Sequence, residues 1–210
     1  MTSIKLKRLG LGAKLMLLVV AGFLPLFLVI LLFLIPQIEQ NLMQQKKVEL
    51  KHLVESAYCV LVSYETLAQE GKLSQEEAQA AAMEQIRKMR YADNNYFWIN
   101  DFQPKMIMHP NYSSEAKPEW YAENGLADYQ DMKGKRLFVA FVETCKATKE
   151  GYVDYLWTKP GQAKDKFFEK VSFVRSFEPW GWILGTGVYI DDVHAIISAL
   201  LLKMNLILIT

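Results

Sequence analysis

Pro179-Trp180-Gly181-Trp182-Ile183-Leu184-Gly185-Thr186-Gly187-Val188-Tyr189-Ile190-Asp191-Asp192 predicts a turn followed by a buried β-strand. Proline and glycine mark the turn, and the strand covers residues 182–190 because apolar, β-branched and aromatic residues dominate there. Gly185, Gly187 and Tyr189 alternate along it and therefore share one face. The two missing side chains leave space beside a tyrosine, and glycine inside a strand often marks the close approach of another group or a ligand.

Four further strands are predicted from short β-rich runs that turn residues separate. They cover residues 96–99, 105–108, 152–157 and 167–177. The turn at residues 101–104 joins the first two strands into a hairpin. Residues 111–133 are polar and are predicted to form a long loop, which in a compact domain is usually functional.

Three helices complete the predicted domain. Residues 37–69 are rich in helix formers, with apolar residues at helical intervals. Ser74 and Glu77 match a capping box that starts a second helix, which runs to Met89. Apolar residues from Leu137 to Cys145 indicate an amphipathic third helix that ends before Gly151. The order is helix, helix, hairpin, helix and three antiparallel strands, which predicts an α+β fold with a PAS-like antiparallel sheet, a long N-terminal helix and flanking transmembrane helices.

Residues 15–36 are predicted to form the first transmembrane helix. The run 15–35 has no charged side chain and meets the roughly 20 residues that a bilayer core requires. The charged residues before it are all basic: Lys5, Lys7, Arg8 and Lys14. Because basic segments stay in the cytoplasm, residues 1–14 are predicted to be cytoplasmic. A cleaved signal peptide is the alternative, but its apolar core is only about 7–15 residues long.

A second apolar run, residues 195–210, lies at the end of the sequence. Residues 193–210 are predicted to be the start of a second transmembrane helix, which would make the chain the front part of a longer protein. Lys203 interrupts this run, and a charge at mid-bilayer costs several kcal/mol, so we expect it near an interface where it can snorkel to water. Residues 37–192 are then the extracytoplasmic domain.

The composition of that domain excludes some functions. It carries all 23 acidic residues of the chain and 19 of its 24 basic ones, a net charge of −4 that argues against nucleic-acid binding. Cys59 and Cys145 either pair in a disulfide or are buried free thiols, since both have apolar neighbours. No nucleophile elbow, phosphate-binding loop, zinc spacing or dinucleotide-binding glycine motif is present, so we expect no enzymatic activity, no metal and no cofactor.

Aromatic residues with polar tips indicate a ligand-binding face. Tyr96 and Trp98 share one face of their strand, and Tyr155 and Trp157 share one face of theirs. Aromatic walls with a cation would suit a small carboxylate, which needs charge-assisted hydrogen bonds out of water. The alternative interpretation is that these aromatic pairs are ordinary core residues.

Positive charge on this face would come from His109, at the end of the hairpin, and from either Lys170 or Arg175. Lys170 and Arg175 have opposite parity on their strand, so one of them faces solvent, and Lys170 is the choice for the site. A protonated His109 would make anion binding tighter at acidic pH. A histidine before proline is also often a purely structural strand-end residue.

Several segments together resemble the single-Cache sensor domain of bacterial methyl-accepting chemotaxis proteins. They are Tyr96-Phe97-Trp98-Ile99-Asn100-Asp101, residues 106–110, Gly134-Lys135, Lys170-Val171-Ser172-Phe173-Val174-Arg175 and the stretch 179–192. The resemblance covers about residues 37–192. Two departures are Phe173, where the family often has tyrosine, and Arg175, where it often has lysine.

The resemblance implies a sensor in the bacterial inner membrane, with its ligand-binding domain in the periplasm and a short organic acid as ligand. The ligand-binding residues carried over by position are Tyr96, Trp98, His109, Tyr155, Trp157, Lys170 and Tyr189. A homodimer and downstream cytoplasmic signalling proteins are the other expected partners. The same input module would serve a histidine kinase or a diguanylate cyclase, and a structural or interaction domain without a ligand is a further alternative.

Overall fold

The computed structural model describes residues 10–92, 94–111, 126–163 and 165–209. Most of the predicted cytoplasmic segment 1–14 and of the predicted loop 111–133 lies outside this part of the chain. The chain divides into two compact units, residues 1–43 and 44–210. The fold is α+β, as predicted, with a long N-terminal helix and an antiparallel sheet.

The first unit is helical. Helix α1 covers Leu11–Val29, a short π-helical segment covers Ile30–Leu34, and helix α2 begins at Ile35 and ends at Gln69. Pro36 has no N–H to donate to the preceding turn, and π-helical turns occur where a helix adjusts locally to such a break. In the described part of the chain, one helix, 11–69, is long and apolar enough to cross a membrane. The predicted span 15–36 lies within it.

In the second unit, helix α2 buries a single stripe of apolar residues at helical spacing: Leu50, Val54, Ala57 and Leu61. Cys59 lies off this stripe and is exposed, whereas Cys145 is buried, and both are free thiols. The expected burial therefore holds for only one of the two cysteines. Helix α3 covers Gln75–Lys88, and the predicted capping box is present, because Ser74 and Glu77 bind each other's backbone N–H groups.

Among the described residues, the sheet has six strands: β1 (Arg90–Tyr91), β2 (Asn95–Asp101), β3 (Met106–Met108), β4 (Glu150–Thr158), β5 (Phe167–Phe177) and β6 (Trp182–Tyr189). All the pairs are antiparallel, in the order β1-β2-β6-β5-β4, with β3 attached to β2. The last strand in the chain is thus inserted at the centre, which explains why every one of its residues is buried. The short strand β1 is not predicted from the sequence.

Helices cover the two faces of this sheet. Helix α4 (Leu137–Thr148) packs on one face, which we call the α4 face, and its Phe141 ring lies 5.5 Å from Trp98 and 5.3 Å from Tyr155. Helix α2 covers the other, the α2 face, where the Tyr152 hydroxyl donates to the Lys47 carbonyl oxygen at 2.8 Å. Helix α5 (Ile190–Ile209) follows β6 directly. The predicted second membrane span falls in α5.

Candidate ligand-binding site

Three of the predicted site residues form a row across neighbouring strands. In the strand register, Tyr155 on β4 is opposite Lys170 on β5, and Lys170 is opposite Tyr189 on β6. Side chains directly opposite each other in a sheet lie on the same face, so the three project together towards helix α4. A fourth residue, Tyr96 on β2, reaches the same point, because Lys170 Nζ lies 3.5 Å from its hydroxyl oxygen.

Lys170 is the central charge of the site. Its side chain is only 2% exposed, and its ammonium group lies 4.6 Å from the ring centroid of Tyr96, 5.5 Å from that of Trp98 and 4.8 Å from that of Tyr189. Among the described residues, no carboxylate comes within ion-pair distance of it. Burial lowers the pKa of Lys170 to about 7, because desolvation disfavours the charged form. Aromatic faces therefore provide its surroundings in place of a counter-ion.

The two glycines of β6 make room for site side chains. A Cβ atom at Gly185 would lie 2.7 Å from Cε2 of the Trp98 indole, and one at Gly187 would lie 2.9 Å from Cε of Lys170. Both distances are too short for real Cβ contacts. The sequence indicated empty space beside Tyr189, but in the structure Trp98 fills the space at Gly185, and Ser172 and Lys170 fill the space at Gly187.

His109 lies at the edge of the site with its ring 4.7 Å from that of Tyr96. It is buried, and its Nδ1 accepts a hydrogen bond from the Asn111 backbone N–H at 3.3 Å, so the neutral ring carries its proton on Nε2. Burial first, and then the charges of Lys170, Arg87 and Arg90, lower its pKa well below 6.5. His109 is therefore a neutral group near neutral pH, not the second cation that the sequence suggested.

The polar tips of the other aromatic residues already have partners. The Tyr155 hydroxyl shares a 2.9 Å hydrogen bond with Ser172 Oγ, and the Tyr189 hydroxyl donates to the Thr158 carbonyl oxygen at 2.7 Å. Sequence reasoning missed Ser172, although it has the same parity on β5 as Lys170 and could have been found by strand alternation. Burial raises the pKa of Tyr155 well above 10, so its hydroxyl stays protonated.

Apolar side chains from helix α4 close a small cavity beside the row of Tyr155, Lys170 and Tyr189, and of these three only Tyr155 lines it. The lining consists of Tyr96, Trp98, Met106, His109, Leu137, Phe138, Phe141, Tyr155 and Trp157. The space between them is about 10 Å³, roughly what one water molecule needs. A molecule of several heavy atoms would fit here only if these side chains moved apart.

The structure separates the two alternative cations. Arg175 lies on the α2 face, where its guanidinium carbon is 4.1 Å from the Tyr58 ring centroid and its Nε is 3.6 Å from a carboxylate oxygen of Glu150. It is thus remote from the row of Tyr155, Lys170 and Tyr189. All seven predicted residues are buried, and all lie on the α4 face or at its edge.

Asp131 supports the site from the segment before α4 and was not singled out from the sequence. One carboxylate oxygen accepts from the backbone N–H groups of Lys133 and Lys135, and the other accepts from that of Leu156 on β4, each at 2.9 Å. Burial acts to raise its pKa, but these three hydrogen bonds outweigh burial, and the pKa is lowered. The carboxylate thereby fixes this segment to β4. In the described part of the chain, no cluster of three His, Cys, Asp or Glu side chains could hold a metal ion.

A family model described as a Cache domain (dCache_2) matches residues 31–204. The chain is similar to the methyl-accepting chemotaxis protein McpP of Pseudomonas putida, with 37% identity over 190 residues, which are 90% of this chain and 33% of that protein. It is also similar to the sensor histidine kinase MctS of Rhizobium johnstonii, with 31% identity over 159 residues, 75% of this chain and 32% of that protein. The chain spans about a third of the length of these curated relatives.

The chain is also similar to a solved structure. Its description is the structural basis for carboxylic acid recognition by a Cache chemosensory domain. The identity is 37% and the TM-score 0.64, over 71% of this chain and 97% of that one.

Proposed function

Since the chain belongs to the Cache domain family, we propose that it is the input part of a transmembrane chemoreceptor that binds a short organic acid outside the membrane and signals across it. The observation that carries the proposal is the buried ammonium group of Lys170. A buried charge is costly unless it is paired, and among the described residues this one has aromatic rings and the Tyr96 hydroxyl beside it but no carboxylate within ion-pair distance. A carboxylate ligand would supply the missing counter-ion.

The charge of the site favours a monocarboxylate. Lys170 offers one positive charge, and His109 is neutral because its pKa is lowered well below 6.5. A second carboxylate on the ligand would be buried without a cation beside it. Its desolvation would cost more free energy than a hydrogen bond from a neutral group contributes. The aromatic and leucine lining would contact a methyl or ethyl group once these side chains had moved apart. The structure described for carboxylic acid recognition by a Cache chemosensory domain supports the same class of ligand.

Calorimetric titration of the whole chain in detergent with acetate, propionate and succinate tests this proposal. We expect saturable binding of a monocarboxylate at pH 6.5 and weaker binding of succinate. Lys170→Met should reduce the affinity roughly 10- to 150-fold, the equivalent of about 1.5–3 kcal/mol for a charged hydrogen bond. Arg175→Met is the matched control, since it removes a cation from the other face of the same strand. Binding that is absent in the wild type or equal in Lys170→Met contradicts the proposal.

The proposed layout places residues 1–14 in the cytoplasm, 15–36 and 193–210 in the membrane, and 37–192 in the periplasm. The basic residues before the first span support this orientation. Cys59 provides a native reporter, because its thiol is exposed and free while Cys145 is buried. A membrane-impermeant maleimide should label intact inner membranes at Cys59, and Cys59→Ser should abolish the labelling. Labelling that appears only after lysis would reverse the orientation.

Two output types are represented among the relatives, one a methyl-accepting chemotaxis protein and the other a sensor histidine kinase. We favour chemotaxis because that relative is more similar and is matched over more of this chain. The domain itself acts by binding and not by catalysis. Glutamine- and alanine-rich helical heptads joined to residue 210 would support the chemoreceptor, and a phosphoacceptor histidine with a nucleotide-binding domain would support the kinase.

A further inference from the structure

The junction between β6 and α5 is held by the last residue of β4, Thr158, and by Lys159, which follows it. The Thr158 carbonyl oxygen accepts a hydrogen bond from the hydroxyl of Tyr189, the last residue of β6, at 2.7 Å. Lys159 Nζ binds Asp191 Oδ2 at 3.0 Å and also contacts the Asp192 carboxylate. Both aspartates lie in the first turn of α5. The end of β4 therefore fastens the end of the sheet and the beginning of the helix together.

The ion pairs of Lys159 are sheltered on the lysine side only, since the side chains of Asp191 and Asp192 are 45% and 46% exposed. The Lys159 side chain is 19% exposed, so solvent and salt screen it less than a fully exposed lysine. One ammonium group also neutralises two adjacent carboxylates that would otherwise repel each other. Asp191 and Asp192 in turn interact favourably with the N-terminal end of the helix dipole.

The ring of Tyr189 is shared by this junction and the candidate site. Its centroid is 4.8 Å from Lys170 Nζ and 5.3 Å from Lys159 Nζ. Each ammonium group is attracted by the ring, and the two positive charges repel each other through a partly buried, poorly screened region. A change in the charge or position of Lys170 is therefore felt at Tyr189 and at Lys159.

We propose that Lys159 is a positioning residue that couples Lys170 to helix α5 through the shared ring of Tyr189. The inference rests on the proposed function for its meaning in signalling, but the coupling is a property of the protein without ligand. A carboxylate bound to Lys170 would weaken the contact of its ammonium group with the ring. Lys159 would then follow Tyr189, and the two aspartates would carry the displacement into the first turn of α5.

A double-mutant cycle tests the coupling without any ligand. The variants Lys170→Met, Lys159→Met and the double variant are prepared as whole chains in lipid nanodiscs, and amide hydrogen exchange is measured for residues 193–199 of α5. We expect Lys170→Met to change the exchange rate in α5 about threefold or more when Lys159 is present, and to change it little when Lys159 is replaced. If the effects of the two single substitutions on the exchange rate in α5 multiply in the double variant, Lys170 and Lys159 act independently and the proposal is overturned.

Two further variants make the result specific. Lys166→Met removes an ammonium group that lies 5.2 Å from the Phe168 ring and makes no ion pair with a described residue, so exchange in α5 should stay as in the wild type. The double replacement Asp191→Asn with Asp192→Asn removes both ion pairs of Lys159 and should remove the coupling as Lys159→Met does. If Lys159→Met fails to fold, this variant still decides the question.

Acetate and propionate separate this proposal from the proposed function. If the wild type binds neither acid, the proposed function fails while the ligand-free cycle still tests the coupling. If it binds one of them, that acid should alter exchange at residues 193–199 in the wild type. In Lys159→Met the acid should still bind, within about threefold of the wild-type affinity, but α5 should no longer respond. An equal response of α5 in this variant would contradict the coupling.

Discussion

Lys170 and Arg175 lie on the same strand, five residues apart, and their surroundings are opposite. Arg175 stacks on Tyr58 and faces the carboxylate of Glu150, so the fold itself satisfies its charge. Lys170 is almost fully buried among aromatic rings, with no carboxylate beside it in the described part of the chain. The α2 face is therefore built for stability. The α4 face holds a charge that is expensive to bury, which is typical of a functional site.

The central strand shows the same contrast in its packing. On the α2 face it carries full-sized side chains, among them Leu184 and Thr186. On the α4 face it carries Gly185 and Gly187, and side chains from neighbouring strands occupy their places. On the α4 face Ile183 and Tyr189 keep their own side chains, but the space beside the two glycines is filled by Trp98, Ser172 and Lys170. The site residues consequently depend on two glycines for their positions.

Replacing a glycine of β6 is expected to have the largest effect. In Gly185→Ala the new methyl group would collide with the rigid indole of Trp98, which cannot move aside as a flexible chain end could. Overpacking of this kind costs typically about 1–3 kcal/mol and occasionally more, and we expect the upper end of that range. Urea unfolding of the whole chain in detergent measures the loss.

A smaller ring provides the control for this variant. Trp98→Phe removes the part of the indole that lies nearest to Gly185, so Gly185→Ala should cost less in the Trp98→Phe background than in the wild type. The same cost in both backgrounds would mean that the glycine serves the backbone of β6 and not the position of Trp98.

The next largest effect concerns the cost of burying Lys170. Burial lowers its pKa to about 7 from the ordinary value of 10.5. Between these values the unfolded chain binds more protons than the folded one, so this residue makes the free energy of unfolding rise with pH, by up to about 1.4 kcal/mol per pH unit. In Lys170→Met the rise should disappear, and below pH 7 the variant should be more stable than the wild type.

Urea unfolding at pH 6, 7.5 and 9 in a buffer free of carboxylates measures this difference. Arg175→Met is the control, because it leaves Lys170 in place and should keep the wild-type slope. If the free energy of unfolding changed with pH in the same way in the wild type and in Lys170→Met, burial of the Lys170 charge would not destabilise the protein as proposed.

A feature could be predicted from the sequence when the residues that determine it are close together in the chain. The opposite orientations of Lys170 and Arg175 follow from the period of two in a β-strand, and the capping box at Ser74 and Glu77 is a local pattern as well. The fold class followed from the order of such local elements. Local rules were sufficient for these features.

The parts that the sequence could not predict depend on residues far apart in the chain. The charge state of His109 is determined by burial and by cations from other elements, among them Lys170 on β5. The occupancy of the space beside Gly185 depends on its pairing with Trp98 across strands. The local sequence around Lys159, which precedes a proline, predicts a solvent-exposed turn residue. Its partner Asp191, however, lies 32 positions further along the chain. Such pairings require the register of the whole sheet.

A smaller effect is expected on ligand affinity as the pH changes. Above pH 7 the free protein loses the proton of Lys170, and binding of an anion then requires a proton to be taken up. The affinity for propionate should therefore fall by up to about tenfold per pH unit between pH 7.5 and 9.

Because the pKa of His109 is lowered well below 6.5, its protonation should not tighten binding between pH 6 and 7. Calorimetry in buffers of different ionisation enthalpy gives both the affinity and the proton uptake, and a flat profile from pH 6 to 9 would contradict the role of Lys170.

Arg175→Met is expected to have the smallest effect, about 0.5–1 kcal/mol of stability, since it loses one cation–π contact and one partly exposed ion pair. Glu150 is not left alone by this change, because Lys51 Nζ remains 2.5 Å from its other carboxylate oxygen. The loss should be independent of pH between 6 and 9, and carboxylate binding should be unaffected. Urea unfolding and calorimetric titration of the same preparation measure both quantities. Arg175 already has its charge partners within the fold, so replacing it should change stability slightly and ligand binding not at all. A loss of stability above about 2 kcal/mol, or weaker carboxylate binding, would mean that the two faces of β5 are not independent.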